Sequence, residues 1–363
     1  MRTLCVRLDS VGDVLVTGPA VRAVAAHSAH VTLLAGPRGR EAASLLPGVD
    51  EVVVWSCPWI DPTPAPVNPD EMSALVARLA AGRYDRALIF TSFHQSPLPT
   101  ALLLRLARVP WIGAISEDYP GSLLDLRHRV PKDIPEPERA LSLCEAAGMP
   151  LPASDSPELR LVESLPDVRH LVPDEKYVVL HPGTSVPARA WPVDRFRETA
   201  RLLAADGHHV VVTGTAAEAP LSAEVARAAG AQGTDLAGRT SLASLAAVIA
   251  GAEVLVVGNT GPAHLAAAVG TPVVSLFAPT VPAVRWAPYR VRHVLLGDQW
   301  APCRDTRATR CPVPGHPCLS SVTADEVVRA VEKLRADLEA GPPAGSPPRP
   351  DSAAGHPTEE VKR

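Results

Sequence analysis

The residue with the clearest potential for catalysis near the start of the chain is Asp13. It follows the strand-like run 3–8 and begins an apolar segment with helix-forming residues. An aspartate at the first turn of a helix is favourable for electrostatic reasons alone, because the N-terminal end of a helix carries partial positive charge. A carboxylate at the carboxyl end of a strand can also act as a general base that removes a proton from a substrate hydroxyl. Position alone leaves both interpretations open.

A second segment with chemical potential is 256–280, which reads VVGNTGPAHLAAAVGTPVVSLFAPT. It predicts an apolar strand, a sharp turn, a short helix and another apolar strand. Pro262 suits the first helical position, and Gly270 is typical of a helix end. The free N–H groups at the start of such a helix can bind a phosphate or diphosphate. The same turn also occurs for packing alone.

The segment 181–192 reads HPGTSVPARAWP and follows a further strand-like run. Thr184 and Ser185 can donate hydrogen bonds to an anionic leaving group. Arg189 can neutralise charge that develops on that group, which is the main electrostatic demand of many transfer reactions. The alternative for Arg189 is a solvated surface position, where most arginines lie.

Composition limits the class of protein. The chain has 363 residues, 46% of them hydrophobic, and a formal net charge of −4. This length predicts two domains, and the charge gives no reason to expect a nucleic-acid partner. No apolar run reaches the roughly 18 residues of a membrane span. The N-terminus enters a strand without a signal-peptide pattern, so we expect a soluble cytoplasmic protein.

The first half of the chain alternates strand and helix patterns. The predicted strands are 3–8, 30–35, 51–55 and 86–91, and the predicted helices are 19–27, 38–46, 70–81 and 98–107. This alternation is typical of a parallel sheet with helices on both faces. The Pro-rich stretch 55–69 between them predicts a long loop, and loops of that length are often functional.

The pattern restarts after a Pro-containing connection at 150–175. The predicted elements are strands at 177–180, 209–212, 254–257 and 273–277, helices at 194–206, 217–230 and 242–250, and a final helix at 325–338. We therefore predict an α/β protein with two doubly wound, Rossmann-like domains at 1–160 and 175–325, a C-terminal helix at 325–340 and a disordered tail at 341–363. Ligands of such folds bind in the crevice at the carboxyl ends of the strands.

Three motifs in this order resemble glycosyltransferase family 9, which includes the ADP-heptose:lipopolysaccharide heptosyltransferases. They are Ser10-Val11-Gly12-Asp13, then His181-Pro182-Gly183 with Arg189 and Trp191-Pro192, and finally Asn259-Thr260-Gly261 with His264. The resemblance covers about residues 1–325. It implies the two-domain GT-B fold and inverting transfer from an ADP-sugar, most simply ADP-heptose, without a metal or another cofactor.

The resemblance also implies roles for individual residues. Asp13 is the catalytic base and Arg189 the cation at the leaving diphosphate. The donor-binding set is Thr184, Ser185, Glu218, Leu236, Asn259, Thr260, Gly261 and His264. Within this set Glu218 is placed at the ribose, with an exposed helix-start glutamate as the rival interpretation, and the backbone near Leu236 at the adenine edge.

The sequence departs from the family at two of these positions. Asn259 stands where the family commonly has Asp, and Ala190 where a basic residue is frequent. Asn259 can still form hydrogen bonds, but it brings no charge. Ala190 removes one half of a two-cation clamp on the diphosphate.

The acceptor is expected to bind the first domain. Arg7 and Ser10 lie on the same expected face as Asp13, and Glu117 and Asp118 are candidates for contact with a polyhydroxylated or amino-bearing acceptor. Lipopolysaccharide core is the default acceptor of the family, and an envelope glycan or a small metabolite is the alternative. A lipid-linked acceptor would bring peripheral membrane contact.

Cysteine and histidine residues are concentrated in one segment near the C-terminal end. The resemblance to the family implies no catalytic metal at this segment. The members of this cluster are Cys303, Cys311, His316 and Cys318. Three cysteines and one histidine can close a tetrahedral zinc site, although these spacings do not match the usual zinc pattern. Structural zinc is therefore the secondary interpretation of this cluster.

Three other functions stay open at this point. The first is a GT-B enzyme that uses another nucleotide sugar, either as a transferase or as an epimerase. The second is a non-catalytic nucleotide-sugar-binding protein. The third is a nicotinamide-dependent dehydrogenase, which the missing G-x-G-x-x-G fingerprint disfavours.

Overall fold

Two six-stranded parallel β-sheets form the framework of the protein, in a computed structural model that describes residues 1–131 and 133–340. The predicted disordered tail at 341–363 lies outside the described residues. No helix of the described part of the chain is both long enough and apolar enough to cross a membrane.

The first sheet has the strand order β3-β2-β1-β4-β5-β6. Its strands are β1 (Arg2–Arg7), β2 (His30–Ala35), β3 (Glu51–Val54), β4 (Arg86–Ile89), β5 (Trp111–Ile115) and β6 (Leu126–His128). Its helices are α1 (Val11–Val16), α2 (Gly18–Ala26), α3 (Arg40–Leu45), α4 (Pro69–Ala81), α5 (Leu98–Leu106) and α6 (Glu136–Ala146). We call this part of the molecule the first domain.

The second sheet repeats this arrangement with the order β12-β11-β10-β7-β8-β9. Its strands are β7 (Tyr177–His181), β8 (His209–Val212), β9 (Gly233–Asp235), β10 (Val254–Gly258), β11 (Val273–Leu276) and β12 (His293–Leu296). Its helices are α7 (Val193–Ala205), α8 (Ala219–Ala228), α9 (Leu242–Ala250), α10 (Gly261–Val269), α11 (Ala283–Trp286), α12 (Pro317–Ser320) and α13 (Ala324–Glu339). We call this part the second domain.

Both sheets are doubly wound, as the sequence predicts. In the first sheet the order reverses between β1 and β4, and in the second between β7 and β10. Ligands of open α/β sheets bind outside the carboxyl ends of strands at such switch points. The chain therefore provides one crevice edge after β1 and β4 and another after β7 and β10.

The central strands form because both of their faces are covered. In β1 the residues Leu4, Cys5 and Val6 are fully buried, and in β10 so are Val254 and Val256. Continuous apolar runs of this kind are typical of parallel sheets with helices on both faces. The buried strands fix the positions of the polar residues that follow them.

The two domains meet where α1 and α10 begin. A Cβ atom added to Gly12 would lie 3.4 Å from the Gly261 Cα and 2.9 Å from the His264 Cδ2. Because Gly12 has no side chain, the two helix N-termini can approach each other this closely. The starts of both helices consequently face the same crevice.

Several elements of the structure were not predicted. The strands β5, β6, β9 and β12 and the helices α6, α11 and α12 are additional to the predicted set. The strands β6 and β9 have only three residues each, too few for a pattern of alternation to appear. The sequence of α6 carries Pro137 in its first turn and is polar overall, which hides its helical period.

The predicted helix 19–27 is the second of two helices. Thr17 ends α1 and precedes α2, whose first turn contains Pro19. The connection 150–175 contains no helix or strand, as predicted. The domain boundaries at 160 and 175 stay a prediction.

Candidate active site

A cavity of about 380 Å³ lies between the two crevice edges and is lined by both domains. The predicted site residues on its wall are Ser10, Asp13, Ser185, Arg189, Asn259, Thr260, Gly261 and His264. Residues that are up to about 250 positions apart in the sequence thus meet at one place. This volume is within the usual range for a small-molecule site.

Asp13 occupies the first turn of α1 and is held by hydrogen bonds on both carboxylate oxygens. Oδ2 accepts from the Ser10 hydroxyl at 2.6 Å and from the Ser10 N–H at 3.2 Å. Oδ1 accepts from Arg7 Nη2 at 3.0 Å and from the Ser92 hydroxyl at 3.3 Å. These contacts fix the orientation of the carboxylate before any substrate binds.

The same contacts determine the charge of Asp13. Burial raises the pKa of its carboxyl, but the positive charge of Arg7 and the hydrogen bonds from Ser10 outweigh burial, so the pKa is below its usual value. Asp13 is therefore ionised at neutral pH. An ionised, oriented carboxylate is what a general base requires.

Arg7 lies behind Asp13 rather than on the cavity wall. Its side chain is almost fully buried, and its Nε is 3.2 Å from Asp9 Oδ2. Asp9 in turn accepts a hydrogen bond from Gln95 Nε2 at 2.5 Å. Arg7, predicted on the acceptor side, is thus placed to support Asp13, whereas Ser10 reaches the cavity as predicted.

Arg189 brings positive charge to the opposite wall from a short 3₁₀ turn at Pro187–Arg189. Its Nη1 donates to the Asn259 carbonyl at 3.3 Å, and its buried Nε has no hydrogen-bond partner in the part of the chain that the structure describes. Burial lowers the pKa of Arg189, while the charge of Asp13 raises it and that of Arg307 lowers it. A guanidinium with an unused donor at a cavity wall is suited to bind an anion.

The start of α10 contributes backbone groups beside Arg189. Thr260 is the N-cap residue in an extended conformation, and its side chain makes no capping hydrogen bond. The Asn259 amide Nδ2 donates to the Ala278 carbonyl at 3.4 Å, whereas its buried Oδ1 lacks a partner. Helix N-termini bind phosphate groups through their free N–H groups and the helix dipole.

His264 lies one turn into α10 and is buried. Burial lowers its pKa to about 4, so the ring is neutral at physiological pH. Its buried Nδ1 has no hydrogen-bond partner among the described residues, and the ring makes an edge contact with Trp286 at 6.3 Å between centroids. His264 lines the cavity, and a neutral imidazole ring can exchange a hydrogen bond with a ligand.

Two predicted donor residues lie beside this cavity but do not line it. The Thr184 hydroxyl accepts from the Val186 N–H at 3.2 Å in a local turn. Glu218 Oε2 accepts from the N–H and hydroxyl of Thr215 at 2.8 and 2.9 Å. The Glu218 carboxylate also lies against Gly183, where an added Cβ would be 2.1 Å from Oε1.

Leu236, predicted to contact adenine through the backbone, does not line this cavity. Its side chain is fully buried. Its N–H donates to the Val212 carbonyl at 2.8 Å, and its carbonyl accepts from the Arg239 N–H at 3.0 Å. The adenine contact stays a prediction.

Glu117 and Asp118 line a second cavity of about 560 Å³ next to the first. Phe93, His94 and Gln95 form part of the wall of both cavities. The predicted acceptor-side carboxylates are therefore adjacent to the cavity that contains Asp13. Both side chains are exposed.

Several residues of the site were missed by sequence reasoning. Those that follow β4 are Ser92, Phe93, His94 and Gln95, and two further cations on the first cavity are Arg38 and Arg307. The residues after β4 follow a predicted strand. Their position beside Asp13 would have been predicted if the pairing of β4 with β1 had been known. Arg307 lies in an irregular loop, and no local pattern marks it.

The Pro-rich loop at 55–69 reaches the cavity through Ile60 and Pro62. The Trp55 and Trp59 rings pack edge to face at 5.3 Å, and Trp59 Nε1 donates to the Thr100 hydroxyl at 3.2 Å. Two tryptophans thus anchor a segment that has no helix or strand of its own between β3 and α4.

The cysteine cluster is part of the second domain's packing. Cys303 and Cys318 are buried in its core, and the His316 Nε2 lies 3.1 Å from the Ala188 carbonyl. Among the residues that the structure describes, no group of three or more Cys, His, Asp or Glu side chains is arranged to hold a metal ion. The zinc interpretation thus gains no support.

Comparison with known proteins identifies the family. Residues 72–314, well over half of the chain, match the model of glycosyltransferase family 9 (heptosyltransferase). Lipopolysaccharide heptosyltransferase 1 of Pseudomonas aeruginosa is 37% identical over 143 residues, which are 39% of each chain. This match spans less than half of that relative. Lipopolysaccharide heptosyltransferase 2 of Escherichia coli is 26% identical over 78% of this chain and 84% of its own.

The fold comparison agrees. The structure of Escherichia coli heptosyltransferase WaaC with ADP-2-deoxy-2-fluoro heptose aligns with a TM-score of 0.70 and 24% identity, over 92% of this chain and 99% of that one. This similarity establishes the GT-B fold. The family model matches well over half of the chain, including the segment that carries Arg189 and the start of α10. The chain therefore belongs to glycosyltransferase family 9.

Proposed function

We propose that this protein transfers heptose from ADP-heptose to a hydroxyl group of a glycan acceptor, with inversion at the anomeric carbon. The observation that carries the proposal is the pairing across one cavity of the oriented carboxylate of Asp13 with Arg189 and the start of α10. A base on one wall and anion-binding groups on the other are what a single displacement requires.

The proposed reaction is one displacement. The acceptor oxygen forms a bond to the anomeric carbon while the bond between that carbon and the diphosphate oxygen breaks. The acceptor proton passes to the Asp13 carboxylate, and ADP leaves with the bonding electron pair. Arg189 and the Gly261 N–H at the start of α10 then stabilise the charge on the diphosphate.

The donor is assigned to the second domain. The family match and the relatives whose printed names are heptosyltransferases support ADP-heptose over another nucleotide sugar, and favour transfer over epimerisation or binding alone. Glu218 beside Gly183 remains our proposed ribose contact. Arg307 supplies the second positive charge that Ala190 does not.

The acceptor is assigned to the first domain, with lipopolysaccharide core as the default and an envelope glycan or small metabolite as the alternative. We place the protein in the cytoplasm, with peripheral membrane contact when the acceptor is lipid-linked. Support for this contact comes from Leu102 and Leu106, which are one turn apart on α5 and exposed to 48% and 59%. Co-sedimentation with anionic liposomes, lost in the Leu102→Ser, Leu106→Ser double variant, would test it.

The donor assignment is tested by calorimetry with ADP, UDP and GDP in the presence of a chelator. We expect ADP to bind most tightly and binding to persist without divalent metal, because the charge-neutralising groups of the site are side chains and backbone N–H groups. A preference for UDP or GDP, or strict dependence on Mg²⁺, would overturn the assignment. Formation of a heptosylated product from ADP-heptose then tests the transfer itself.

A further inference from the structure

The second cavity contains two buried arginines that have no role in the displacement described above. Arg139 comes from α6 in the first domain and Arg285 from α11 in the second. Their exposed fractions are 9% and 8%. Arginine is rarely buried to this degree without partners that satisfy its charge and its five N–H donors.

Arg285 has few such partners. Its Nη2 lies 3.3 Å from Asp133 Oδ1, but the Asp133 side chain is 74% exposed, so this ion pair is weakened by solvent. The guanidinium carbon lies 4.0 Å from the centre of the Phe93 ring. Among the residues that the structure describes, the buried Nε and Nη1 atoms have no hydrogen-bond partner. Unpaired buried donors of this kind are unfavourable and are typical of sites that a ligand completes.

Arg139 provides a second positive charge in the same cavity. Its Nη1 donates to the Thr91 carbonyl, and the same atom is 3.6 Å from Glu136 Oε2. The carboxylate of Glu136 is buried and offsets one of the two guanidinium charges. The carboxylates that line this cavity, Glu117 and Asp118, are exposed. The buried part of the cavity is therefore positive.

We propose that this second cavity binds an anionic substituent of the acceptor, a phosphate or a carboxylate, with Arg285 as its principal ligand and Arg139 as the second cation. A planar guanidinium can donate two parallel hydrogen bonds to either group. Assigning the anion to the acceptor rests on the proposed function. Phe93 and His94 line both cavities, so an acceptor held here extends toward Asp13.

The location of the two arginines adds a structural consequence. Because Arg139 and Arg285 come from different domains, a bound anion bridges the domains. Binding of the acceptor then favours the arrangement in which Asp13 and Arg189 face one cavity. An acceptor without the anionic group would lose both affinity and this bridging contact.

The test uses the full-length protein saturated with ADP, so that the donor site is occupied. Inorganic phosphate and acetate are titrated separately and binding is followed by nuclear magnetic resonance or calorimetry. We expect the wild type to bind at least one of these anions and Arg285→Gln to bind it about tenfold more weakly. Binding of phosphate but not of acetate would indicate a phosphoryl group on the acceptor. Binding of acetate but not of phosphate would indicate a carboxylate.

Arg290→Gln is the matched control, since Arg290 lies on the same segment, is exposed and does not line this cavity. It should bind the anion as the wild type does. Equal ADP affinity in both variants shows that the fold is retained. Failure of the wild type to bind either anion overturns the inference, and so does unchanged binding in Arg285→Gln, which would mark an adventitious ion only.

The outcome for this inference is separable from that for the proposed function. Anion binding that depends on Arg285 in a protein that does not turn over ADP-heptose refutes the proposed function and leaves the anion site in place. Heptosyl transfer whose acceptor KM is the same in the wild type and Arg285→Gln supports the proposed function and refutes the role of this cavity.

Discussion

The two walls of the active-site cavity differ in how their polar atoms are satisfied. On the first-domain wall, both carboxylate oxygens of Asp13 accept hydrogen bonds from neighbouring residues. On the second-domain wall, one buried polar atom each of Arg189, Asn259 and His264 has no hydrogen-bond partner within residues 1–131 and 133–340. The hydrogen bonds of Asp13 are therefore formed before a substrate binds, whereas three residues of the second-domain wall still have an unsatisfied polar atom.

This difference matches what the general base on one wall and the leaving-group site on the other each require. A general base works best when its orientation and charge are fixed in advance, because no reorganisation is then needed during reaction. A leaving-group site, in contrast, gains affinity when unpaired donors meet an anion, since each unpaired buried group costs about 1–3 kcal/mol until it is satisfied. The predictions below test this division, from the largest expected effect to the smallest.

Asp13→Asn should have the largest effect. It keeps the size of the side chain and removes the basic carboxylate, so turnover should fall about 10²–10⁴-fold. ADP affinity should stay near that of the wild type, because ADP is assigned to the other wall. Steady-state kinetics and calorimetry on the same preparation check both expectations.

The matched control is Asp194→Asn. Asp194 also lies in the first turn of a helix, α7, but its side chain is exposed and does not line the cavity. Loss of its charge should change only helix stability, by about 0.3–1 kcal/mol. If Asp13→Asn behaves like this control, Asp13 is a helix-start residue and the base assignment is wrong.

Arg189→Ala should weaken both donor binding and turnover. Charge-assisted hydrogen bonds contribute about 1.5–3 kcal/mol, so kcat/KM should fall about ten- to a hundredfold. The exposed Arg201→Ala on α7 serves as the control. Kinetics of Arg189→Ala that equal those of this control would show that the second wall does not depend on this cation.

Arg307→Ala tests whether a loop residue replaces the cation that Ala190 lacks. Because Arg307 is partly solvated, its charge should contribute modestly, and the ADP dissociation constant should rise about two- to fivefold. Arg304→Ala is the control from the same loop, where Arg304 stacks on Trp300 at 4.5 Å outside the cavity. Equal ADP affinities of the two variants would remove Arg307 from the site.

The pH dependence of kcat/KM should be flat between about pH 5.5 and 8. The pKa of Asp13 is held below the usual value of an aspartate, so the base keeps its charge across this range. Burial lowers the pKa of His94 and His264 to about 4, so both rings stay neutral across this range. A fall in kcat/KM centred between about pH 6 and 7 would indicate an ordinary histidine in the reaction and would contradict this account.

The sequence predicts the parts of the site that follow long apolar strands. Asp13 after β1 and Thr260 after β10 are examples, because the buried strand and the helix start are both visible as local patterns. Ser92 and His94 follow a predicted strand too, but their position beside Asp13 depends on the strand order, which no local pattern contains.

Other features depend on tertiary packing alone. Arg285 lies on a helix of four residues, and only the approach of the two domains places it against Phe93. Leu236 is fully buried, and its N–H donates to the Val212 carbonyl of the neighbouring strand β8. Contacts between segments that are far apart in the sequence determine the positions of both residues. A single sequence does not show which distant segments come together.

The close approach of Gly12 and Gly261 has a consequence for any movement of one domain against the other. Both residues line the cavity, and there the starts of α1 and α10 lie so close together that a side chain at position 12 would clash. If one domain rotates against the other about this point, groups near the pivot keep their separation while the rim of the crevice opens widely. Substrates can then enter and leave without moving Asp13 away from the diphosphate wall. A Gly12→Ala substitution would place a methyl group between the two helix starts and push the domains apart there. The resulting change in the distance between the domains would be largest at the entrance of the crevice, which is farthest from Gly12.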